Sequence, residues 1–347
     1  MILMALDHSS LYWNSGRIQN EGLQGLYPAF TSISQFLTRF ASHICAPAFL
    51  FIAGLLMSLS LVNRSEKGQS NKALTLHFIF RGVGLIAIDF LIINRIGLTF
   101  GILACIGTCM ILLTLIRFLP ITSVFFLSIA VLAFHPWIDF QWMANVFPQS
   151  SYFIYALSEP IRQKSSWSVF YPVIPWIGVM GLGFYIGDLL RKNIAQGMKR
   201  FSKLLVSGGL FSLMTFIPVR LFLGNFYGDS SFFWLMNKYP PSLSFLLWNL
   251  GLTFILMGAW LWWEEKRSET GRLLNTLKTY GQVPLFFYIV HRYFYGMIPN
   301  LTHTRRDYSL LITYVVWLIG LIPLYFLCRR YSNFRTRLKS HDKDSQH

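Results

Sequence analysis

The feature that most constrains this chain is a succession of apolar stretches, each able to cross the roughly 30 Å hydrocarbon core of a bilayer as a helix of about 20 residues. They fall at 43–62, 74–94, 98–116, 121–139, 168–190, 203–223, 242–263, 282–299 and 308–328. A tenth is implied at residues 1–13, where MILMAL supplies a short apolar lead before Asp7. That first helix is expected to be incomplete, or the true start to lie upstream of Met1. Composition agrees with a membrane protein. Hydrophobic residues make up 54% of the chain and charged residues 13%, against about 25% charged in a soluble domain, and the mean hydropathy is +0.48. The 11 Trp and 16 Tyr suit a chain that meets lipid-water boundaries many times, because amphipathic rings settle there.

The expected fold is therefore all-α: a polytopic membrane helix bundle of about ten transmembrane segments with the first one incomplete. It forms a single integral-membrane domain over residues 1–328, followed by a basic cytoplasmic tail at 329–347. No leader with a basic start and a cleavage site is visible, and neither a soluble domain nor an internal repeat stands out. The longest break between spans, 140–167, carries Trp142, Phe147, Tyr152, Phe153, Tyr155 and Trp167 and is expected to rest as a loop in the interface.

Thirty Lys and Arg against 14 Asp and Glu give a net charge of +16. Basic residues are retained on the cytoplasmic side of a membrane protein, and they divide cleanly if the C-terminus is inside. The inner set is Arg64, Lys67 and Lys72; Arg117; Arg191, Lys192, Lys199, Arg200 and Lys203; Lys266, Arg267, Arg272 and Lys278; then the tail from Arg329 onward. The smaller outer set is Arg17, Arg95, Arg162, Lys164, Arg220, Lys238, Arg305 and Arg306. The net charge is thus mostly topology. Nucleic-acid binding needs basic residues gathered on one folded face, so no nucleic-acid partner is expected. The cysteines, Cys45, Cys105, Cys109 and Cys328, show no metal-type pairing with histidine. Cys105 and Cys109, one helical turn apart within a span, read as packed thiols, and no metal is expected.

Four ionisable groups collect at the outer ends of two spans. FLTRFASHICAPAFLFIAG (36–54) puts Arg39 and His43 one turn apart on one helix face, and Asp7 and His8 sit at the outer end of the incomplete helix before it. An ionisable side chain at the centre of a membrane helix costs about 2.5–3.5 kcal/mol on insertion scales, so such groups default to a functional reading. The plain alternative is that they reach water and anchor helix ends. Deeper in the chain, GQVPLFFYIVHRYFYG places His291 with Tyr288 and Tyr295 one turn to either side. These are either a core histidine satisfied by hydroxyls or substrate-binding groups. His77 and His135 read as structural, and His303, His341 and His347 as solvated. In NKYPPS (237–242) paired prolines hold Lys238 and Tyr239 on a rigid lead into a span. There the lysine either grips an anionic substrate or anchors at the interface.

MALDHS, FLTRFASHICAPAFLFIAG, YPVIPWIGVMGLGFYIG, NKYPPSLSFLL and GQVPLFFYIVH, in this order, closely resemble the bacterial membrane proteins similar to the catalytic domain of heparan-alpha-glucosaminide N-acetyltransferase. The resemblance runs from residue 1 to about 328. It implies a multi-pass acyltransferase of the bacterial inner membrane, with acetyl-CoA as co-substrate taken from the cytosol and a glycan or amino-sugar acceptor on the far side. The lysosomal enzyme carries a proposed active-site histidine in the loop after its first helix; residues 14–30 contain none, and His8 and His43 are the nearest substitutes.

Acetyl transfer needs a base for the acceptor's proton, and imidazole titrates near working pH. His43 or His8 serves on this reading. Asp7 orients and balances an imidazole, His43 more readily than His8, because neighbours on a helix point about 100° apart. Arg39 stabilises the oxyanion or binds an acidic acceptor. Arg81, near the cytosolic end of its span, is the candidate for the phosphates of acyl-CoA, while Arg191 and Lys192 mainly set topology. Gly178, Gly181 and Gly183 either leave a seam for the pantetheine arm or pack helices together. The competing class is a transporter or flippase of a small or lipid-linked polar solute, whose polar groups line a route without performing chemistry.

Overall fold

The computed structural model describes residues 1–344 apart from 19, 20, 24, 25, 28, 95–97, 139, 159, 165, 166, 195, 196 and 267–270. Arg95, Arg267 and His347 thus lie outside the described residues. The helices in chain order are α1 (Ile2–Trp13), α2 (Ile33–Ser42), α3 (Cys45–Glu66), α4 (Asn71–Ile88), α5 (Ile102–Ile116), α6 (Ile121–Phe134), α7 (Gln141–Val146), α8 (Ser151–Ser158), α9 (Val173–Ile194), α10 (Met198–Pro218), α11 (Leu243–Lys266), α12 (Arg272–Gln282), α13 (Pro284–Leu301) and α14 (Leu310–Asp344). The molecule is 78% helical.

Six helical stretches among the described residues are long and apolar enough to cross a membrane: Ile33–Glu66, Asn71–Ile93, Val173–Asn193, Met198–Leu223, Leu243–Glu265 and Leu310–Leu338. The count of about ten rests in addition on shorter helices, among them the apolar stretches Ile102–Ile116 and Ile121–Trp137. At 12 residues, α1 is about 18 Å long at 1.5 Å per residue and falls short of the hydrocarbon core. The tail expected at 329–347 continues α14 as helix to Asp344.

The chain divides into two compact units. The first comprises Met1–Gln19, Ala29–Cys45 and Lys266–His347, hence α1, α2, α12, α13 and α14. Helix α1 is fastened at both ends. The Trp317 indole donates to the Ile2 carbonyl at 3.1 Å, and the Trp13 indole to the Tyr295 carbonyl at 2.8 Å. The last carbonyls of a helix lack intrahelical partners, and here the segment before α14 provides them. The backbone N–H of Arg306 donates to Tyr12 and that of Tyr308 to Trp13, at 2.9 and 3.0 Å. Ser32 caps α2 by accepting from the Gln35 N–H at 3.3 Å.

The second unit comprises Asn20–Pro28 and Ala46–Glu265. Glycine lets its helix backbones touch. A β-carbon on Gly54 would lie 1.9 Å from the Met180 carbonyl, and one on Gly183 would lie 2.0 Å from the Phe51 carbonyl, which closes α3 onto α9. Gly181 meets the Ser128 hydroxyl at 2.3 Å in the same way, and Gly178 meets Leu132 at 2.9 Å, closing α9 onto α6. Gly178, Gly181 and Gly183 therefore pack helices together, with no room at these positions for a pantetheine arm. The Cys105 and Cys109 sulfurs sit 4.0 Å apart as buried free thiols.

Two expectations change here. The fold is nearly all-α but includes a three-stranded sheet, ordered β1-β3-β2, of β1 (Leu98–Phe100), β2 (Ile161–Lys164) and β3 (Trp167–Val169). β1 runs parallel to β3, and β2 antiparallel to it. The stretch 140–167 is accordingly not an unstructured loop: it folds as α7, α8 and two strands, with Trp142, Phe147 and Phe153 exposed. Strand propensity in WSV and its neighbours is hard to separate from interfacial aromatics by pattern alone. A π-helical turn, Asp89–Ile93, follows α4. It turns the buried Asp89 carboxylate to accept from the Gly101 and Ala104 N–H groups at 2.9 and 3.0 Å, which caps α5.

Candidate functional site

The first unit contains a polar cluster built on α1. Asp7 Oδ1 accepts from Arg39 Nη1 at 2.6 Å, from Arg17 Nη1 at 3.0 Å and from the Ser42 hydroxyl at 2.8 Å. Arg17 Nη1 also donates to the Asp7 carbonyl at 2.8 Å. Arg39 and Ser42 sit on α2 three residues apart, so one face of that helix delivers both donors. The side chains of Arg17 and Arg39 are only 7% and 6% exposed, and Asp7 is 18% exposed. Two guanidinium groups thus share one carboxylate oxygen, and a pair of guanidinium groups suits an anion or an oxyanion better than a cation.

His8 uses a different partner. Its Nδ1 lies 2.6 Å from His291 Nε2, with the rings stacked at 4.8 Å between centroids. His291 is fully buried, and its Nδ1 lies 2.6 Å from the Phe287 carbonyl one turn back on α13. A carbonyl oxygen only accepts, so His291 Nδ1 carries the proton. With both rings neutral, His291 Nε2 then offers a lone pair, His8 Nδ1 donates to it, and the lone pair of the pair as a whole resides on His8 Nε2. That nitrogen has no hydrogen bond among the described residues. The arrangement is a fixed-tautomer base, oriented by a second histidine in the way an acid orients the imidazole of a hydrolase triad.

The structure thus joins Asp7 to Arg39 and His8 to His291. Tyr288 sits beside both imidazoles, 6.0 Å from His8 and 5.9 Å from His291 between ring centroids. Asp7 and His8, adjacent in sequence, serve different partners because neighbouring side chains leave a helix in different directions. His43 ends α2 and is buried, with its ring 6.2 Å from Phe40. Arg17 and Ser42 were not candidates in the sequence, where Arg17 counted only as an outer-loop charge. The histidine pairing was equally hidden, since it links residues 283 positions apart.

The other candidates belong to the second unit. Arg81 stands exposed on α4, one turn after His77. Lys238 and Tyr239 are both buried, the lysine ammonium 5.4 Å from the tyrosine ring. His135 is held by the Leu132 carbonyl at 3.0 Å, in keeping with a structural part. Among the described residues no three His, Cys, Asp or Glu side chains form a group able to hold a metal.

A family model described as "Heparan-alpha-glucosaminide N-acetyltransferase, catalytic" matches residues 23–219, more than half of the chain. The protein belongs to this family. No curated protein matches the chain significantly, and no solved structure does. The part matched to the N-acetyltransferase catalytic family includes Arg39, His43 and Arg81. Asp7, His8, Arg17, Lys238, Tyr239, Tyr288 and His291 lie on either side of it, so their assignment rests on geometry. Membership in this family points to an acetyltransferase-type enzyme, and six membrane-length apolar helices are consistent with a membrane protein.

Proposed function

We propose that this protein is a membrane-embedded acyltransferase. It moves an acetyl or other short acyl group from cytosolic acyl-CoA to a hydroxyl or amine of a glycan or amino sugar on the extracytoplasmic side of a bacterial inner membrane, with its C-terminus in the cytoplasm. The observation that carries the reading is the His8–His291 pair beside the Asp7–Arg39–Arg17 cluster, in a chain of the N-acetyltransferase catalytic family. His8 Nε2 accepts the proton of the acceptor as its oxygen or nitrogen attacks the thioester carbonyl. The tetrahedral oxyanion collapses, the carbon–sulfur bond breaks, and the departing thiolate recovers that proton from the His8 imidazolium. Nothing is consumed but donor and acceptor. His291 holds the His8 ring through Nδ1. Arg39 and Arg17, fixed by Asp7, place positive charge on the neighbouring turn of α1, where it favours negative charge on substrate or oxyanion. His43 and Arg39 lie within the matched stretch, and His43 is the second candidate base. Arg81 is the candidate contact for the phosphates of acyl-CoA. Lys238, Tyr239 and Tyr288 are candidate acceptor-side contacts, whereas both ring nitrogens of His291 are taken up in holding His8.

The test is incubation of purified protein with acetyl-labelled acetyl-CoA and an amino-sugar acceptor. The reading predicts label on the sugar, or thermal stabilisation by CoA. Folded protein that shows neither is better described as a transporter or flippase.

A further inference from the structure

The segment that leads into α11 holds three buried charged side chains, of which Arg220 and one oxygen of Asp229 hydrogen-bond within it. Arg220 is buried in the π-helical turn Val219–Leu223 that follows α10, and its guanidinium donates to the carbonyls of Phe233, Ser230 and Phe232 at 2.7, 2.5 and 2.9 Å. Asp229 Oδ1 accepts from the Asn237 N–H at 2.6 Å. Lys238 is only 4% exposed, yet among the described residues its ammonium has no ion pair and no hydrogen-bond acceptor. The Tyr239 ring 5.4 Å away offers its face but no lone pair. An ammonium on so nearly buried a side chain has lost most of its water shell, and folded proteins tolerate that best where an acceptor or counter-charge replaces it.

The backbone around Lys238 is pinned. Ser242 N–H donates to the Asn237 carbonyl at 2.8 Å, and Tyr239 N–H donates to Asn237 Oδ1 at 3.1 Å. Pro240 and Pro241 fix the following φ angles. Gly22, with φ of +79°, packs so tightly on Asn237 that a β-carbon would lie 1.9 Å from its Oδ1. A second donor stands along the same aromatic wall. Trp176, in the first turn of α9, is fully buried with its indole N–H unsatisfied. The Tyr239 and Tyr171 rings lie 5.9 Å apart, and those of Tyr171 and Trp176 5.7 Å. A nearly buried cation without an ion pair among the described residues and a buried N–H without an acceptor therefore flank a wall of tyrosines.

We infer that this wall is a binding site for an oxyanion, a phosphate or carboxylate carried on a polar headgroup or sugar, with Lys238 as the charge and Trp176 as the directional donor. The inference concerns binding in the second unit and stands whether or not the protein transfers acyl groups. Two sources share this chemistry: a soluble sugar phosphate or uronate, and the headgroup of an anionic lipid.

The full-length protein, purified in neutral detergent, is titrated with glucose 1-phosphate and with glucuronate. A parallel sample is placed in phosphatidylcholine nanodiscs with and without phosphatidylglycerol. The readouts are the melting midpoint and the extent of Lys238 modification by an amine reagent, measured by mass spectrometry. At least one anion is expected to raise the midpoint by several degrees and to slow Lys238 modification several-fold. A response to the soluble probes identifies a substrate-like ligand, and a response confined to phosphatidylglycerol identifies a lipid headgroup. Lys238→Met abolishes the response, and Trp176→Phe weakens it. Wild-type protein in which no probe changes Lys238 modification overturns the inference, and this readout holds even if Lys238→Met does not fold. So does restoration of the Lys238→Met midpoint by Glu21→Gln without any anion, since Lys238 would then only balance the buried Glu21.

Discussion

The Nδ1 of His8 lies 2.6 Å from the Nε2 of His291, and this one contact assigns different work to the two rings. His291, anchored on the Phe287 carbonyl and fully buried, is the positioning residue; His8, partly exposed, carries the remaining lone pair. Replacing His291 with Ala is expected to lower kcat for acyl transfer by about 10–100-fold with little change in KM, because the His8 ring loses its orientation while substrate contacts remain. His291→Gln, whose side-chain oxygen can accept from His8 Nδ1, should recover part of the loss. Equal damage to kcat and KM in both variants would mark His291 as a packing residue only.

Asp7 pairs with two buried guanidinium groups, so the three members of the cluster are not equivalent. Asp7→Ala removes the carboxylate that Arg39 and Arg17 share and is expected to cost about 3–5 kcal/mol of stability. Arg17→Met leaves a complete Asp7–Arg39 pair and should cost clearly less, about 1–3 kcal/mol. Chemical denaturation of the purified variants in detergent checks the order, and an Arg17→Met loss as large as that of Asp7→Ala would contradict the geometry.

Burial holds the Asp229 carboxyl above its ordinary value, against the opposing hydrogen bonds of Asn237, Ser242 and Ser244 and the charge of Arg220. In the unfolded chain this carboxyl ionises near pH 3.9, whereas in the folded loop it keeps its proton to higher pH. Its contribution to stability is therefore greatest below the unfolded value and declines as pH rises toward the folded one. Asp229→Asn should flatten that decline while retaining an acceptor for the Asn237 N–H. A melting midpoint that falls with the same slope in both proteins from pH 4 upward would show that Asp229 is not its source.

Helix contacts through glycine give a paired test in the second unit. Gly183→Ala would push a methyl into the Phe51 backbone and is expected to destabilise by about 1–3 kcal/mol or more. Gly84→Ala, on α4, meets nothing within 4 Å and should be neutral, or stabilising by up to about 1 kcal/mol. Thermal unfolding of the two variants distinguishes them.

Much of this architecture was legible in the sequence. Apolar runs of membrane length mark the six long helices, because composition alone decides which segments can lie in hydrocarbon. Asp7 and Arg39 could be placed near each other, since the pattern of apolar runs and basic loops puts both at the outer ends of two consecutive spans. Their other partners could not. Ser42 looks like an ordinary helix residue and Arg17 like a loop charge, and only the packing of α1 against α2 turns both onto one oxygen. The pairing of His8 with His291 links residues from opposite ends of the chain, which no local pattern encodes. The sheet was hidden for a different reason: its strands are three or four residues long, too short for a two-residue period to show against neighbouring interfacial aromatics.

The central claim is that His8 Nε2 is the base of an acyl transfer, and its most direct measure is the single-turnover rate of transfer from labelled acetyl-CoA in His8→Gln and His43→Gln protein of verified fold. The account predicts a loss of about 10²–10⁴-fold for His8→Gln and a much smaller change for His43→Gln. A His8→Gln enzyme that turns over at the wild-type rate would contradict it.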